Sequence, residues 1–357
     1  MATRDNRAEP GQSFGLPLGG WRGLGLFWLV VLLLLAGGGL SLLVTGPPSQ
    51  PAVTPAVANA TATSPQPVAA TVAPLAPAPR PAAQPGRSTP GPIADPDPAL
   101  LEPMEGSTTA QVPRIADDGR MPMQVYAAGF DRSSTRPRIG LVVADIDMNQ
   151  AESEAAIHEL PRAVTLAFSP YYKTEPSKLL EAARLAEHEY LLSIPMEPQG
   201  FPLNDPGPQA LMTSLSPEQN HPRLEWALSR LAGYVGATGA LGSMAGERFA
   251  SLSDTMTPIL KELAARGLLY VDPRPAAPAL SLAWGRSVDL VVDEPSTSGD
   301  IDAKLSALEA LARQKGSALG LVTAPHPVAV QHIVAWADKL IANGLALAPV
   351  SALVRPP

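Results

Sequence analysis

From Arg138 onward, short apolar runs alternate with longer stretches in which apolar residues recur every three to four positions, which predicts a parallel α/β unit. The predicted strands are Ile139–Ala144, Ala163–Phe168, Tyr190–Ile194, Tyr234–Ala237, Leu268–Asp272, Val288–Val292, Ala318–Val322 and Leu345–Val350. Most of their positions are apolar, as expected of strands covered on both faces. Helices are predicted over Pro176–Glu189, Asp254–Arg266, Asp300–Lys315 and Val328–Asn343. The first begins with proline at a permitted first-turn position, the second and third open on aspartate caps, and the fourth ends at Gly344. His158 and His188 fall on helical stretches in this reading. Seven or eight strands in such alternation suit a (β/α) barrel, while periodicity alone does not exclude an open doubly wound sheet. No repeat of about 20–50 residues is visible, which disfavours a solenoid.

Before Arg138 the pattern is different. Leu24–Val44 is uncharged and apolar throughout, and at about 1.5 Å per helical residue it matches a hydrocarbon core of about 30 Å. Arg4, Arg7 and Arg22 precede it and no Lys or Arg follows until Arg80, so the N-terminus is expected in the cytoplasm and the remainder outside. The run exceeds a secretory h-region and lacks an Ala-x-Ala site, which favours an anchor over a cleaved signal. Between Thr45 and Pro137 the chain is rich in Pro, Ala, Thr, Ser and Gln and reads as a disordered, partly polyproline tether. Gln124–Phe130 is its one candidate ordered exception, as a strand or an apolar patch. The expected order is a cytoplasmic segment 1–23, an anchor 24–44, a linker 45–137 and a folded domain 138–357, with the domain on the outer side of the membrane.

Composition narrows this little. A folded unit of about 220 residues needs neither a disulfide nor a structural metal to fill its core, and the chain has no cysteine. The net charge of -7, with no basic run, argues against nucleic acid as a partner.

In a barrel, chemistry gathers in the loops after the strands. That selects Asp145 and Asp147, Glu197, Thr238–Ser243, Asp272 with Arg274, Asp293 with Glu294, and Pro325–Pro327. The Pro-rich loop Pro195–Pro208 is the most informative of these, because five prolines restrict a backbone that also bears Glu197 and Asp205. No two of the five histidines form an HxH, HxxH or HxxxH pair, so no zinc signature is written. His326, between two prolines after a strand, is the one histidine placed for chemistry. The glycines at 233, 236, 239, 242 and 246 are not followed by Gly-Lys-Ser/Thr, and close packing explains them better than a phosphate cradle.

Val142–Val143–Ala144–Asp145, Arg162–Tyr171, Leu191–Pro208 and Gly233–Ser243 together resemble the divergent polysaccharide deacetylases of bacteria over roughly Arg138–Val354. The resemblance implies a distorted, often incomplete (β/α) barrel and a metal-dependent hydrolase. Such enzymes typically open with an Asp-Asp pair, a base followed by a metal ligand; the matching positions here are Ala144 and Asp145. His-x-Pro-Met is matched by Ser193–Ile194–Pro195–Met196, and Asn-His-Met-Gly-Ser by Gly239–Ala240–Leu241–Gly242–Ser243. Gly-His-Pro aligns with Thr323–Ala324–Pro325, leaving His326 beyond it.

The candidate catalytic residues are therefore Asp145, Asp147, Glu197, Asp272 and Asp293, with Met196, Arg274, Ser243 and His326 as candidate substrate contacts and Asp145 as the metal ligand, if any is bound. No organic cofactor is expected, and a divalent metal is the one candidate. Two readings stay open. One is a catalytically degenerate, membrane-anchored barrel that binds glycan or an envelope protein. The other is an active deacetylase whose converging carboxylates hold Mg²⁺ or Ca²⁺ through oxygen; a two-carboxylate glycosidase is a weaker third.

Overall fold

The computed structural model describes residues 88–172 and 176–357, together with Trp28. The proposed anchor Leu24–Val44 and most of the tether lie outside the described residues. Among the described residues no helix is long and apolar enough to cross a membrane.

Eleven strands are present among the described residues: β1 (Leu101–Pro103), β2 (Gln111–Pro113), β3 (Arg138–Ile146), β4 (Thr165–Phe168), β5 (Tyr190–Ser193), β6 (Gly236–Thr238), β7 (Leu269–Asp272), β8 (Gly285–Ser287), β9 (Leu290–Val291), β10 (Ser317–Val322) and β11 (Ala346–Leu347). β1 and β2 form an antiparallel pair. The others make one sheet in the order β8-β7-β6-β5-β4-β3-β10-β9, with β11 paired to the start of β3, and all of its ladders are parallel. β8 and β9 end the path yet are consecutive in the chain, so the sheet curls round on itself. No ladder joins them; instead the Val288 N–H donates to the Asp272 carbonyl on one side of the seam and the Asp289 N–H to the Leu319 carbonyl on the other. The predicted Val288–Val292 strand is thus shortened to β9, with Val288 and Asp289 forming the seam and β8 lying before it. The sheet is an incomplete barrel rather than an open doubly wound sheet.

Alternation along the strands separates two apolar faces. Ile139, Leu141 and Val143 of β3 pack with residues of the covering helices, among them Ile157, Leu180, Leu224, Leu308 and Ile333. Val142 and Ala144 point the other way, into a cluster with Leu191, Val271 and Leu321. No helix of the barrel covers that second face. Residues before Arg138 and after Leu347 fill it: Ile93, Leu100, Met123, Tyr126 and Phe130 from one end, Val350, Leu353 and Val354 from the other.

The linker boundary at 137 is therefore corrected. Residues 88–137, tether-like in composition, are a packed arm in which Leu100 and Ala127 are fully buried. Few apolar residues suffice there because each meets a surface the barrel has already built. Gln124–Phe130 is the end of a short helix, Pro122–Val125, followed by buried Tyr126, Ala127 and Ala128. The arm runs under the N-terminal ends of the strands, where the Gly91 N–H donates to Glu187, Arg184 pairs with Asp95 at 3.2 Å, and Arg266 pairs with Glu102 at 2.7 Å.

Four of the helices fall where periodicity puts them, as Ser177–Leu185, Ser253–Ala265, Ser298–Lys315 and Pro327–Leu340. Their caps differ. Thr297, not Asp300, caps the third, its hydroxyl accepting the Asp300 N–H, and Asp254 sits inside the second, which has no side-chain cap. Two further helices, Gln150–Glu159 and Pro217–Leu228, carry an Asn149 cap and a Ser216/Gln219 capping box. His188 is not helical: it is fully buried before β5, its ring nitrogens 2.8 and 3.1 Å from the Val164 and Ile157 carbonyls.

One buried carboxylate joins these parts. Glu189 accepts from the Ala128 N–H of the arm (2.9 Å), the Thr165 hydroxyl at the start of β4 (3.1 Å), and both the N–H and hydroxyl of Ser351 (2.9 and 2.6 Å). Burial raises its pKa, and these donors oppose the rise. Glu189→Ala would strand four donors in the interior. We expect it to lower unfolding free energy by about 3 kcal/mol or more, and Glu189→Gln by roughly 1–3 kcal/mol, in urea denaturation of the full chain followed by tryptophan fluorescence. A loss below about 1 kcal/mol for the alanine variant would mean that the arm and tail are held by apolar contact alone.

Candidate functional site at the barrel mouth

The last turn of β3 is irregular. The β3–β4 register shifts between Val143 and Ile146, and Asp145 (φ 53°) and Asp147 (φ 87°) both adopt left-handed backbone. Such conformations cost a non-glycine residue about 1–2 kcal/mol each, and a bulge at a strand end re-aims side chains. Here it turns Asp145 toward the β6 loop, where its Oδ1 accepts the Gly242 N–H at 2.9 Å. Gly242 is itself at φ 56°, and a Cβ there would lie 2.8 Å from Asp145 Oδ2. Only glycine fits that contact.

Asp147 is more confined. Its N–H donates to the Ser153 hydroxyl at 2.9 Å, but neither carboxyl oxygen is exposed or has a hydrogen-bond partner of good geometry. Burial, then the neighbouring Asp145 charge, push its pKa up to about 8, and the nearby Ser169 N–H only partly opposes them. Asp145 is also raised by burial, against the Gly242 N–H and the nearby His326. At neutral pH, Asp147 is therefore largely protonated.

Asp145 opens onto a cleft of about 380 Å³ whose walls include Tyr171, Gly207, Gly242 and Ser243. The Pro-rich loop forms one side of it through Asp205, Pro206 and Gly207. Gly207 lies against the Tyr171 ring, and the Tyr171 hydroxyl accepts the Gln209 N–H at 3.0 Å. Sequence reasoning missed Tyr171, and nothing local marks it out; Asp205 was visible as an Asp-Pro-Gly turn, in which its carboxylate accepts the Gly207 N–H.

The other predicted acids do not join Asp145. Glu197 is buried, accepts from the Thr213 N–H and hydroxyl (2.6 Å each), and pairs with Arg248 at 3.0 Å. Asp272 is held by both guanidinium arms of Arg274, at 2.9 and 2.6 Å, so each occupies the other. Asp293 accepts the Thr323 N–H and hydroxyl. Met196 is buried against Gly239 and Gly246, bridges to Leu211 and is not among the residues lining the cleft. Ser243 is exposed at the cleft. His326 precedes the final helix with its Nδ1 3.3 Å from Glu152.

The positions where the resemblance expects a base and imidazole ligands are filled otherwise. Ala144 and Ala240 are fully buried, Ala324 is half-buried, and the Ser193 hydroxyl is enclosed without a partner. Among the described residues no group of three His, Cys, Asp or Glu is arranged to hold a metal ion. A divalent ion does not fit this donor set, and no catalytic step is derived through one.

A model of the divergent polysaccharide deacetylases matches residues 141–354, from β3 to the C-terminal tail. The chain belongs to this family. An uncharacterized protein from Agrobacterium tumefaciens C58 is 31% identical, with a TM-score of 0.63, over 69% of this chain and 100% of its own. A family 4 carbohydrate esterase from Streptomyces lividans, in complex with acetate, is 13% identical with a TM-score of 0.38, over 62% of this chain and 98% of its own. No curated protein matches. The family assignment makes this a deacetylase-like carbohydrate protein on a parallel, curled sheet.

The Asp147 environment has a consequence for stability. Its folded-state pKa, about 8, lies above the ordinary 3.8, so its contribution is complete below the lower value and is lost as pH rises through the higher. Asp147→Asn removes that loss. The variant should gain on the parent chain between pH 5 and pH 9 by about 2 kcal/mol or more, measured as the pH dependence of the urea midpoint. Parallel pH profiles for the two proteins would place the Asp147 carboxyl in water.

Proposed function

We propose that the barrel is a catalytically degenerate deacetylase domain that binds glycan at its mouth, outside a bacterial inner membrane to which Leu24–Val44 anchors it. One observation carries this reading. Ala144, Ser193, Ala240 and Ala324 stand where the family's chemistry needs a base and imidazoles, and the remaining acids are engaged elsewhere: Glu197 by Arg248, Asp272 by Arg274, Asp293 by Thr323. Hydrolysis of an amide or ester by this family's route needs a polarising cation and a proton acceptor together. What supports retained binding is the cleft itself, walled by Tyr171, Ser243 and the Pro-rich loop.

Such a protein works by reach and recognition. An envelope protein is the alternative occupant of the mouth, and an active hydrolase with a carboxylate-held cation is the alternative chemistry. The full chain, purified in a detergent without a sugar headgroup, should carry no stoichiometric metal, release no acetate from acetylated oligosaccharides, and bind glycan saturably. Stoichiometric metal with acetate release that disappears in Asp145→Ala would establish the hydrolase instead.

A further inference from the structure

We infer that the mouth selects cationic amino sugars, the de-N-acetylated form of a glycan, over their acetylated counterparts; this rests on the glycan-binding reading above. Beside the 380 Å³ cleft lies a second hollow of about 330 Å³, and Asp205, Ser243 and Met244 line both. The charged side chains lining the pair are Asp145, Asp205 and Glu247, and no Lys or Arg is among their described lining residues.

Each of these acids accepts one backbone N–H and, among the described residues, is in no ion pair. Asp145 accepts from Gly242, Asp205 from Gly207 at 2.9 Å, and Glu247 from Gln199 at 3.0 Å. Glu197 and Asp272, close by in the fold, each have an arginine at 3.0 Å or less. Glu197 and Asp272 thus have a cation of their own, while the acids facing the hollows have no ion pair with Lys or Arg among the described residues. An ammonium group supplies both charge and donors, whereas an acetamide supplies no charge and brings an added methyl and carbonyl.

The rest of the lining suits a sugar ring. Gln199, Asn204 and Ser243 offer donors and acceptors to hydroxyls. Tyr171 offers an aromatic edge and face, fixed between Gly207 and Trp226, whose ring centroid is 5.3 Å away. A lysine-rich peptide would satisfy the acids but has no ring to set against Tyr171.

The test is equilibrium binding of the full chain to β-1,4-linked glucosamine oligomers, to the same oligomers fully N-acetylated, and to oligolysine of equal charge. The glucosamine oligomers should bind about tenfold more tightly than the acetylated ones, and the gap should close as salt is raised from about 0.03 to about 0.3 M. Asp205→Asn with Glu247→Gln should abolish the preference while leaving the urea midpoint unchanged, since neither side chain is in an ion pair. Equal or tighter binding of the acetylated oligomers would overturn the inference and leave glycan binding standing. Oligolysine binding as tightly as glucosamine would overturn the sugar as the carrier of the charge, and failure of every oligosaccharide to bind would remove the proposed function with it.

Discussion

The barrel depends on a carboxylate that no solvent reaches. Glu189 sits below β5 and gathers donors from three separated parts of the chain: Ala128 in the arm, Thr165 in β4 and Ser351 in the tail. A curled parallel sheet with helices outside still has an inner face to cover, and this one is covered by segments from both ends of the domain. Apolar contact gives those segments area, while the Glu189 bonds give them register, because a buried carboxylate tolerates no sliding of the donors that satisfy it. With the underside sealed in this way, the opposite ends of the strands are free to carry irregular loops.

At that opposite end the acids divide by what they face. Those enclosed in the fold have lost their availability to partners: Arg248, Arg274 and Thr323 hold Glu197, Asp272 and Asp293. Those facing the hollows keep one backbone hydrogen bond each and, among the described residues, no ion pair. The distinction is electrostatic. A carboxylate removed from water needs a close partner to remain charged, while one at a cleft can wait for a ligand because solvent serves it meanwhile. Asp147 falls between these cases, enclosed and without a hydrogen-bond partner of good geometry, and responds by holding its proton to about pH 8.

The same geometry accounts for the fit of alanine at 144 and 240. Both side chains are fully buried in the apolar cluster on the inner face, where a methyl group needs no partner and an unliganded imidazole or carboxylate would. At a buried position with no cation to serve, a small apolar residue is the stable occupant. The hydroxyl of Ser193 is a contrast, a buried polar atom without a hydrogen-bond partner.

The hydrophobic pattern alone determined most of the framework: the parallel strands from β3 to β7, β10, and four of the helices are legible because burial on both faces writes continuous apolar runs and one-sided burial writes a 3.6-residue period. It also located Asp145, Asp147 and the Pro-rich loop at strand ends. Tertiary structure decided what periodicity does not encode. The arm at 88–137 reads as tether because its few apolar residues gain their value from a surface built elsewhere in the chain. The split at Val288–Asp289 belongs to the closure of the sheet, and His188 is a buried strut because two carbonyls meet it there. Sequence named Asp145 and Asp205 but not Glu247 among the acids lining the hollows, and only the fold could bring Arg248 to Glu197, since a charge pair is a distance and residues far apart in the chain set this one.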